Sequence, residues 1–291
     1  MNGNQALRFS ILALALAPLI ASAAGGGAFE INQDCAIAGC FAGDGAGFPI
    51  TISAPGSYVL TSDLLVTAAG ANAININASP VDLNLNGHTI DGGGSCTGMP
   101  VTSCTPGAGS AGISAYAGGA PVGALHIHDG TIRGFTGSAA STAAIYISDA
   151  GDGTVLERLN IVENYGNAAV QFYTSGAGGT VRLRDSQVAR NGSHGVNRAG
   201  GAIKLIVENS DISGNRIYGA AGADGATFSG NRFNNNGNYA INGIGGTVAL
   251  GANTFSGNNL GGNQYTITNV ANLGGSANNV CLDHSPGYAC P

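Results

Sequence analysis

The nine-residue segment LERLNIVEN, from Leu156 to Asn164, carries the pattern that predicts the fold. Four later segments repeat its apolar first and sixth residues and its asparagine at position nine: LRDSQVARN (Leu183 to Asn191), VENSDISGN (Val207 to Asn215), FSGNRFNNN (Phe228 to Asn236) and LGANTFSGN (Leu250 to Asn258). Two upstream segments, LNGHTIDGG (Leu85 to Gly93) and IHDGTIRGF (Ile127 to Phe135), match at the apolar positions only. The starts lie 42, 29, 27, 24, 21 and 22 residues apart. Such spacing is typical of repeat architectures in which each unit forms one coil.

The composition excludes several other fold classes. The chain has 50 Gly among 291 residues, and Gly costs about 1 kcal/mol per helical position relative to Ala, which disfavours a helical bundle. The glycines follow no three-residue period, so the chain is not collagen. Because 44% of the residues are apolar and only 9% are charged, the chain can bury a core and is not disordered. A net charge of −6 provides no field that would attract nucleic acid.

Short apolar segments such as AAIYIS (Ala143 to Ser148) and AAVQFY (Ala168 to Tyr173) follow the nine-residue units. Two or three short strands per coil, with Gly and Asn at the corners, are typical of a parallel β-solenoid. A parallel βαβ fold would need helices as crossovers, and the sequence supplies none. We therefore predict an all-β solenoid.

The asparagine at position nine has a physical explanation. At a corner, Asn tolerates left-handed backbone geometry, and in register its amide can bond to the Asn of the next coil. The sequence thus predicts a buried structural ladder of Asn164, Asn191, Asn215, Asn236 and Asn258. An unpaired amide there would cost about 1–3 kcal/mol. The alternative, a polar ligand stripe, is less expected because buried amides are usually satisfied internally.

The N-terminus has the features of an export signal. Arg8 precedes an apolar run, Phe9 to Ala21, that is too short for a membrane span, and Ala21-Ser22-Ala23 is a small-residue cleavage pattern. We predict a signal peptide over residues 1–23 and a secreted or periplasmic protein with no membrane span after signal removal. A retained apolar anchor is the alternative, and Pro18 disfavours it by breaking a continuing helix.

The rest of the chain divides by its pattern. We predict an N-terminal cap over residues 24–48, anchored by Phe29, Ile31, Ile37 and Phe41, because an open solenoid end invites association. Residues 49–278 form the solenoid, with a Gly-rich side loop over 91–112 where the pattern lapses. Residues 279–291 form a tail across the other end.

Six cysteines fall as local pairs: Cys35 and Cys40, Cys96 and Cys104, Cys281 and Cys290. Outside the cytoplasm such pairs form disulfides, although six cysteines allow fifteen connectivities. A metal site is the alternative, but there is no CxxC and no His at ligand spacing beside these cysteines. We predict three local disulfides.

Two stretches resemble a known family. FPITISAPGSYVL (Phe48 to Leu60) and VDLNLNGHTIDGGG (Val81 to Gly94), with the later repeats, look like bacterial secreted proteins with right-handed parallel β-helix repeats, a fold shared with pectate lyases. Asp82 to Ile90 is the most specific piece, and the resemblance extends from Phe48 to the late 270s. It implies a right-handed parallel β-helix of about nine coils. It also implies polysaccharide as a partner, without assigning a reaction.

The residues that flank the first position of each unit should face solvent and stack about 4.8 Å apart. They form two columns: Asn84 and Asn86, His126 and His128, Val155 and Glu157, Arg182 and Arg184, Ile206 and Glu208, Thr227 and Ser229, Ala249 and Gly251. The ionisable members collect on four adjacent coils, from His126 to Glu208. This group contains the candidate catalytic residues.

Three interpretations of this group of residues remain open, two catalytic and one structural. In polysaccharide elimination, Arg182 or Arg184 would bind a uronate carboxylate, and His126 or His128 would take the proton. Hydrolysis would instead need a pair of carboxylates, for which Glu157 and Glu208 are the candidates. The third and favoured interpretation is a surface ion-pair ladder of Glu157, Arg184 and Glu208, because surface charge stacks are commoner than catalytic ones.

Metal binding receives little support from the sequence. Calcium-dependent pectate lyases gather several Asp on one face, whereas Asp129, Asp149, Asp152 and Asp185 are scattered over different coils. The Asp149 to Asp152 loop leaves calcium open, but an Asp/Gly turn is the simpler interpretation. We predict no cofactor.

These observations predict an exported β-helix repeat protein that interacts with polysaccharide. It either binds the polysaccharide or, as a lyase or glycoside hydrolase, cleaves it. The alternative is a non-enzymatic structural or adhesive module outside the cell, which the long neutral faces and the scarcity of acid/base pairs favour.

Overall fold

The computed structural model describes residues 27–116, 122–137, 143–176, 178–258, 267–268, 272–274 and 278–282. They form a parallel β-solenoid of about nine turns, which confirms the all-β fold class and the coil interpretation of the repeat. The strands of successive turns pair in parallel along three faces. The right-handed sense of the coil stays a prediction from the resemblance.

Each face stacks one strand per turn. The first face contains Phe29–Ile31, Gly56–Leu60, Val81–Asn84, Thr180–Arg184, Lys204–Glu208, Thr227–Ser229, Thr247–Gly251 and Asn272–Gly274. The second contains Leu64–Leu65, Thr89–Asp91, Gln187–Ala189, Asp211–Ser213, Arg232–Asn234, Thr254–Ser256 and Val280–Cys281. Two long strands, Leu125–Arg133 and Thr154–Val162, run through both of these faces. The third face contains Ile50–Ile52, Ile74–Ile76, Ile113–Ala115, Ala143–Ser148, Ala168–Thr174, His194–Gly200, Ala220–Ala221, Ile241–Asn242 and Ile267–Thr268.

The core consists of apolar columns, one from each face. The first and sixth positions of the repeat supply two of them; Leu156 and Ile161, for example, are both 0% exposed. The third column contains Ile50, Ile74, Ile113, Ile145, Val170, Val196, Ala220 and Ile241, which are also fully buried. Burying one large aliphatic side chain stabilises the fold by about 1.5–3 kcal/mol, so the columns hold each coil to the next.

The five position-nine asparagines lie in one buried row. The Nδ2 of Asn164 donates to the Oδ1 of Asn191 at 3.1 Å, and the same bond repeats from Asn191 to Asn215, Asn215 to Asn236 and Asn236 to Asn258. The backbone N–H of each donor residue reaches the same Oδ1. Both lone pairs of that oxygen are therefore used, and the second amide proton binds a backbone carbonyl, such as Asn215 to Val188 at 3.0 Å.

The left-handed backbone does not occur where the sequence interpretation placed it. The residue before each ladder asparagine has positive φ, including Glu163 at 59°, Arg190 at 52° and Asn235 at 50°, whereas the ladder asparagines do not. The expectation for position nine was therefore wrong. Position nine requires Asn for the buried amide hydrogen bonds, whereas the residue before it adopts the left-handed conformation at the corner.

A second polar ladder, absent from the sequence prediction, occupies position four. Ser186 N donates to Ser210 Oγ, Ser210 N to Asn231 Oδ1, and Asn231 N to Asn253 Oδ1, at 2.9 to 3.2 Å. These residues are at most 6% exposed. Short polar side chains thus satisfy the backbone at the corner between the first and second faces.

The N-terminal segment adds one strand and one short helix at an end of the stack. Phe29–Ile31 pairs with Tyr58–Leu60, and the helix Gln33–Ala38 begins at Asn32, whose Oδ1 accepts from Cys35 N at 2.8 Å. Ile31 and Ala36 enter the core, whereas Ile37 is 67% exposed and is not the anchor that we expected.

Two of the three predicted disulfides are confirmed, Cys35–Cys40 and Cys96–Cys104. Cys281 is also disulfide-bonded, but its predicted partner Cys290 lies outside the described residues. The predicted signal peptide, residues 1–23, and most of the predicted tail lie outside them too. Among the described residues, no helix has the length and hydropathy needed to cross a membrane.

Residues 91–112 contain an antiparallel hairpin of Ser95–Gly98 and Val101–Thr105, which the Cys96–Cys104 disulfide crosslinks. Val101 N donates to Gly214 O at 3.0 Å, and Val101 is 3% exposed. The insertion therefore folds back along the corner between the second and third faces.

Stacked aromatic rings line the start of the third face. The rings of His194 and Tyr218 lie 4.9 Å apart at 9°, and Tyr218 stacks on Tyr239 at 5.9 Å. Burial lowers the pKa of His194 to about 4. Its Nδ1 has no hydrogen-bond partner among the described residues, so the fold holds this ring in its neutral form.

We expect Asn215→Ala to lower the free energy of unfolding by about 2–4 kcal/mol, because the amide and backbone N–H of Asn191 both lose their acceptor inside the core. Urea unfolding followed by circular dichroism measures this. Asn238→Ala, at an exposed corner position, should cost under about 0.5 kcal/mol. Equal losses would show that the ladder has no special role.

His194 should make stability depend on pH. The unfolded ring has a pKa near 6.5, so its contribution is complete above that pH and is lost as pH falls from about 6.5 towards 4, by about 1–2 kcal/mol for a partly exposed ring. In urea unfolding at a series of pH values, His194→Phe should flatten this slope while Tyr239→Phe keeps it. A slope unchanged by His194→Phe would assign the effect to another group.

Candidate functional site

The predicted site residues lie on the outer side of the first face. The register places His126 beside Val155, and His128 beside Glu157. Glu157 in turn lies beside Arg184, and Arg184 beside Glu208. These columns agree with the sequence interpretation from His126 onward.

One coil earlier, the predicted columns were wrong by two residues. Asp82 lies beside His126 and Asn84 beside His128, whereas Asn84 and Asn86 had been expected there. The reason is a longer corner: from Leu83 to Ile90 the chain uses two more residues than from Ile127 to Ile132, with Asn86 and Gly87 both at positive φ. This shift brings an unpredicted carboxylate, Asp82, to the two histidines.

The two histidines stack and share that carboxylate. Their ring centroids lie 4.2 Å apart at 20°. His126 Nδ1 lies 2.8 Å from Asp82 Oδ1, and His128 Nε2 lies 3.3 Å from the same oxygen. The His-x-His spacing was the signal in the sequence, because alternate residues of a strand point to the same side.

The remaining nitrogen of each ring faces a second carboxylate. His128 Nδ1 is 2.6 Å from Asp129 Oδ2, and His126 Nε2 is 3.1 Å from Glu157 Oε1. Arg158 joins these carboxylates, with Nε 2.5 Å from Asp129 Oδ1 and Nη1 2.5 Å from Glu157 Oε1. Asp129 and Arg158 occupy the left-handed corner position, at φ 61° and 49°, and sequence reasoning included neither in the site.

These contacts set the ionisation of the cluster. The hydrogen bond from Arg158 holds the pKa of Asp129 well below its usual range, against a smaller opposing effect of burial. Burial raises the pKa of Glu157, but hydrogen bonds from Arg158, His126 and Arg184 outweigh it and leave that pKa lowered. Hydrogen bonds to Asp129 and Glu157 in turn raise the pKa of Arg158. Both carboxylates are therefore anionic.

The two predicted arginines bind different carboxylates. Arg184 Nε lies 2.5 Å from Glu157 Oε2, whereas Arg182 Nε lies 3.0 Å from Glu208 Oε2. Glu157 and Glu208 thus belong to separate ion pairs, and Arg184 does not bridge them. Glu157 is only 4% exposed although its column faces outward, because the neighbouring side chains cover it.

An open trough runs along the second face, and the sequence prediction did not include it. Two depressions, of about 580 Å³ and 710 Å³, share Thr131 and Asn160. Position five of each coil lines it with a row of hydrogen-bonding side chains in register: Thr89, Thr131, Asn160, Gln187 and Asp211. The signal was present in the repeats, since position five is polar in each.

The Asp149 to Asp152 loop makes contacts of a turn. Asp152 Oδ1 accepts from Thr180 N at 2.7 Å, and Asp149 Oδ1 accepts from Ser175 N at 3.3 Å. Both carboxylates therefore cap backbone groups of the next coil.

No protein-family model, curated protein or solved structure matches this chain.

We expect Glu157→Gln to lower the free energy of unfolding by about 1–3 kcal/mol, since it leaves Arg158 and Arg184 without a shared buried anion. Glu208→Gln, which removes a more exposed carboxylate with one arginine partner, should cost under about 1 kcal/mol. Thermal or urea unfolding of the two variants provides the comparison, and equal costs would contradict the central role of Glu157.

Proposed function

We propose that this chain is an exported β-helix repeat protein that binds a neutral polysaccharide along the trough of the second face. The observation that carries the proposal is the in-register polar row at position five. Five stacked coils extend the row over about 19 Å, at about 4.8 Å per coil. A regular row of hydroxyl, amide and carboxylate groups suits a ligand that is itself a regular row of hydroxyl groups.

The charge of the trough favours a neutral ligand over a uronic acid polymer. Its lining carries five carboxylates, from Asp63, Asp91, Glu163, Asp185 and Asp211, against three guanidinium groups, from Arg133, Arg158 and Arg190. Arg133 and Arg190 also pair with Glu163, at 3.4 Å and 2.9 Å. A polyanion would meet an excess of negative charge.

The geometry supports binding more than cleavage at the predicted residues. Hydrolysis requires one carboxyl group that holds a proton, but Glu157 is anionic and tied to two arginines. Elimination requires a free base, and both nitrogens of each histidine already face carboxylates.

Export is part of the same proposal. The two disulfides indicate an oxidising compartment outside the cytoplasm, where extracellular polysaccharides are found. The signal pattern over residues 1–23 agrees with that location.

Binding can be tested by affinity electrophoresis and calorimetry of the purified protein against neutral polysaccharides, such as β-glucan and galactomannan, and against polygalacturonate and alginate. We expect a neutral polymer to bind and Asn160→Ala with Gln187→Ala to weaken its binding at least tenfold. The matched control, Arg232→Ala with Thr254→Ala, changes the same row beyond the trough and should stay within twofold of the wild type.

An equal loss of binding affinity in both double variants would show that the trough is not the binding site. Failure of the folded wild-type protein to bind any polymer would overturn the proposal and leave a structural or adhesive module. Release of reducing ends, or of unsaturated products absorbing at 235 nm, would add cleavage to binding.

A further inference from the structure

Three potential metal ligands converge on the outside of the first face. Asp82, His126 and His128 each present a ligand atom, and these atoms lie within 4.8 Å of one another. In the described part of the chain they form the one such group of three or more His, Cys, Asp or Glu residues. Two adjacent coils supply them, so the stacking of the solenoid positions all three.

We propose that Asp82 Oδ1, His126 Nδ1 and His128 Nε2 bind a divalent transition-metal ion of the zinc class. The two nitrogens lie 2.8 Å and 3.3 Å from the carboxylate oxygen. Tetrahedral ligands about 2.0–2.1 Å from zinc lie roughly 3.4 Å apart. The three ligand atoms lie within 4.8 Å of one another, so side-chain shifts of about an ångström or less would complete the site. Two imidazoles and one carboxylate form a ligand set that zinc uses with a fourth position open.

The groups around the histidines are those expected behind a metal site. A metal-bound histidine usually directs its other ring nitrogen at a carboxylate or carbonyl, which fixes the ring and increases its basicity. His128 Nδ1 is hydrogen-bonded to Asp129 at 2.6 Å, and His126 Nε2 lies 3.1 Å from Glu157 Oε1. Arg158 holds both of these outer carboxylates in place. Both rings therefore have the same two-sided arrangement.

The charge balance also favours a cation. Asp82, Asp129 and Glu157 contribute three negative charges, whereas Arg158 and Arg184 contribute two positive ones. One negative charge therefore remains, and a divalent ion would more than neutralise it.

The geometry leaves one side of the site open. The side chains of Asp82 and His126 are 44% and 35% exposed, whereas that of His128 is 11% exposed. A fourth ligand would therefore come from solvent. Calcium and magnesium prefer sites made mainly of oxygen ligands, so we expect neither ion to bind at this site.

The test uses protein purified without a polyhistidine tag and dialysed against EDTA. Calorimetric titration with ZnCl2 should give one site per chain, and CoCl2 should give the visible absorption bands of a four-coordinate ion. CaCl2 and MgCl2 should give neither signal. Asp82→Asn, a size-matched change at an exposed side chain, and His126→Ala should each weaken zinc binding more than 100-fold. Asp129→Asn should weaken it by about 10–100-fold, as expected for an outer carboxylate.

His88→Ala is the matched control. His88 lies 3.2 Å from Asp63 in a His–Asp pair to which no described residue adds a third ligand, and its loss should leave zinc binding unchanged. The absence of zinc and cobalt signals from folded wild-type protein would overturn the proposal. Binding that survives Asp82→Asn and His126→Ala, with circular dichroism showing folded variants, would place the ion elsewhere and overturn it too. Neither result bears on the polysaccharide trough, which Asp82 and His126 do not line.

Discussion

The bond from one buried asparagine to the next is the constraint on which this solenoid depends. Parallel backbone pairing alone would tolerate a slipped coil, because every strand offers the same groups along its length. The amide row does not tolerate it, since a slip would leave Asn191 or Asn215 unpaired inside the core. The shorter serine and asparagine ladder at position four fixes the neighbouring corner in the same way. Two polar ladders therefore hold the register that the apolar columns make favourable.

The register of the coils then determines which side chains lie in line on the surface. When equivalent positions stack above one another, a preference at one position becomes a row along the molecule. Position five becomes the polar row of the trough, and the flanks of position one become the charged columns. A single polar side chain provides little binding surface, whereas five polar side chains in a line, about 4.8 Å apart, make a surface that suits an extended polymer.

The charged cluster shows how corner geometry adds to this arrangement. Asp129 and Arg158 both adopt left-handed backbone at position three, where most repeats have Gly, Asn or Asp. For an arginine this conformation costs about 1–2 kcal/mol. Arg158 makes ion pairs with Asp129 and Glu157 at this corner, and these two carboxylates lie beside the two histidines. The same corner thus links the cluster on the first face to the trough on the second, because Arg158 contributes to both.

The sequence by itself determined the coil, the position of the buried asparagines, two of the disulfides and the order of the columns from His126 onward. These features follow from periodicity and proximity, which are properties of the chain alone. Only the tertiary structure decided that Asp82 meets His126 and His128, that Arg182 and Arg184 serve different carboxylates, and that position five lines a trough. Across the 42-residue interval before Ile127 the repeat offers two registers, since Leu83 and Leu85 are both buried, and the pairing of Leu83 with Ile127 selects one. The direction of a long side chain, such as that of Arg158, depends on charges brought near it by stacking, so no local pattern specifies it.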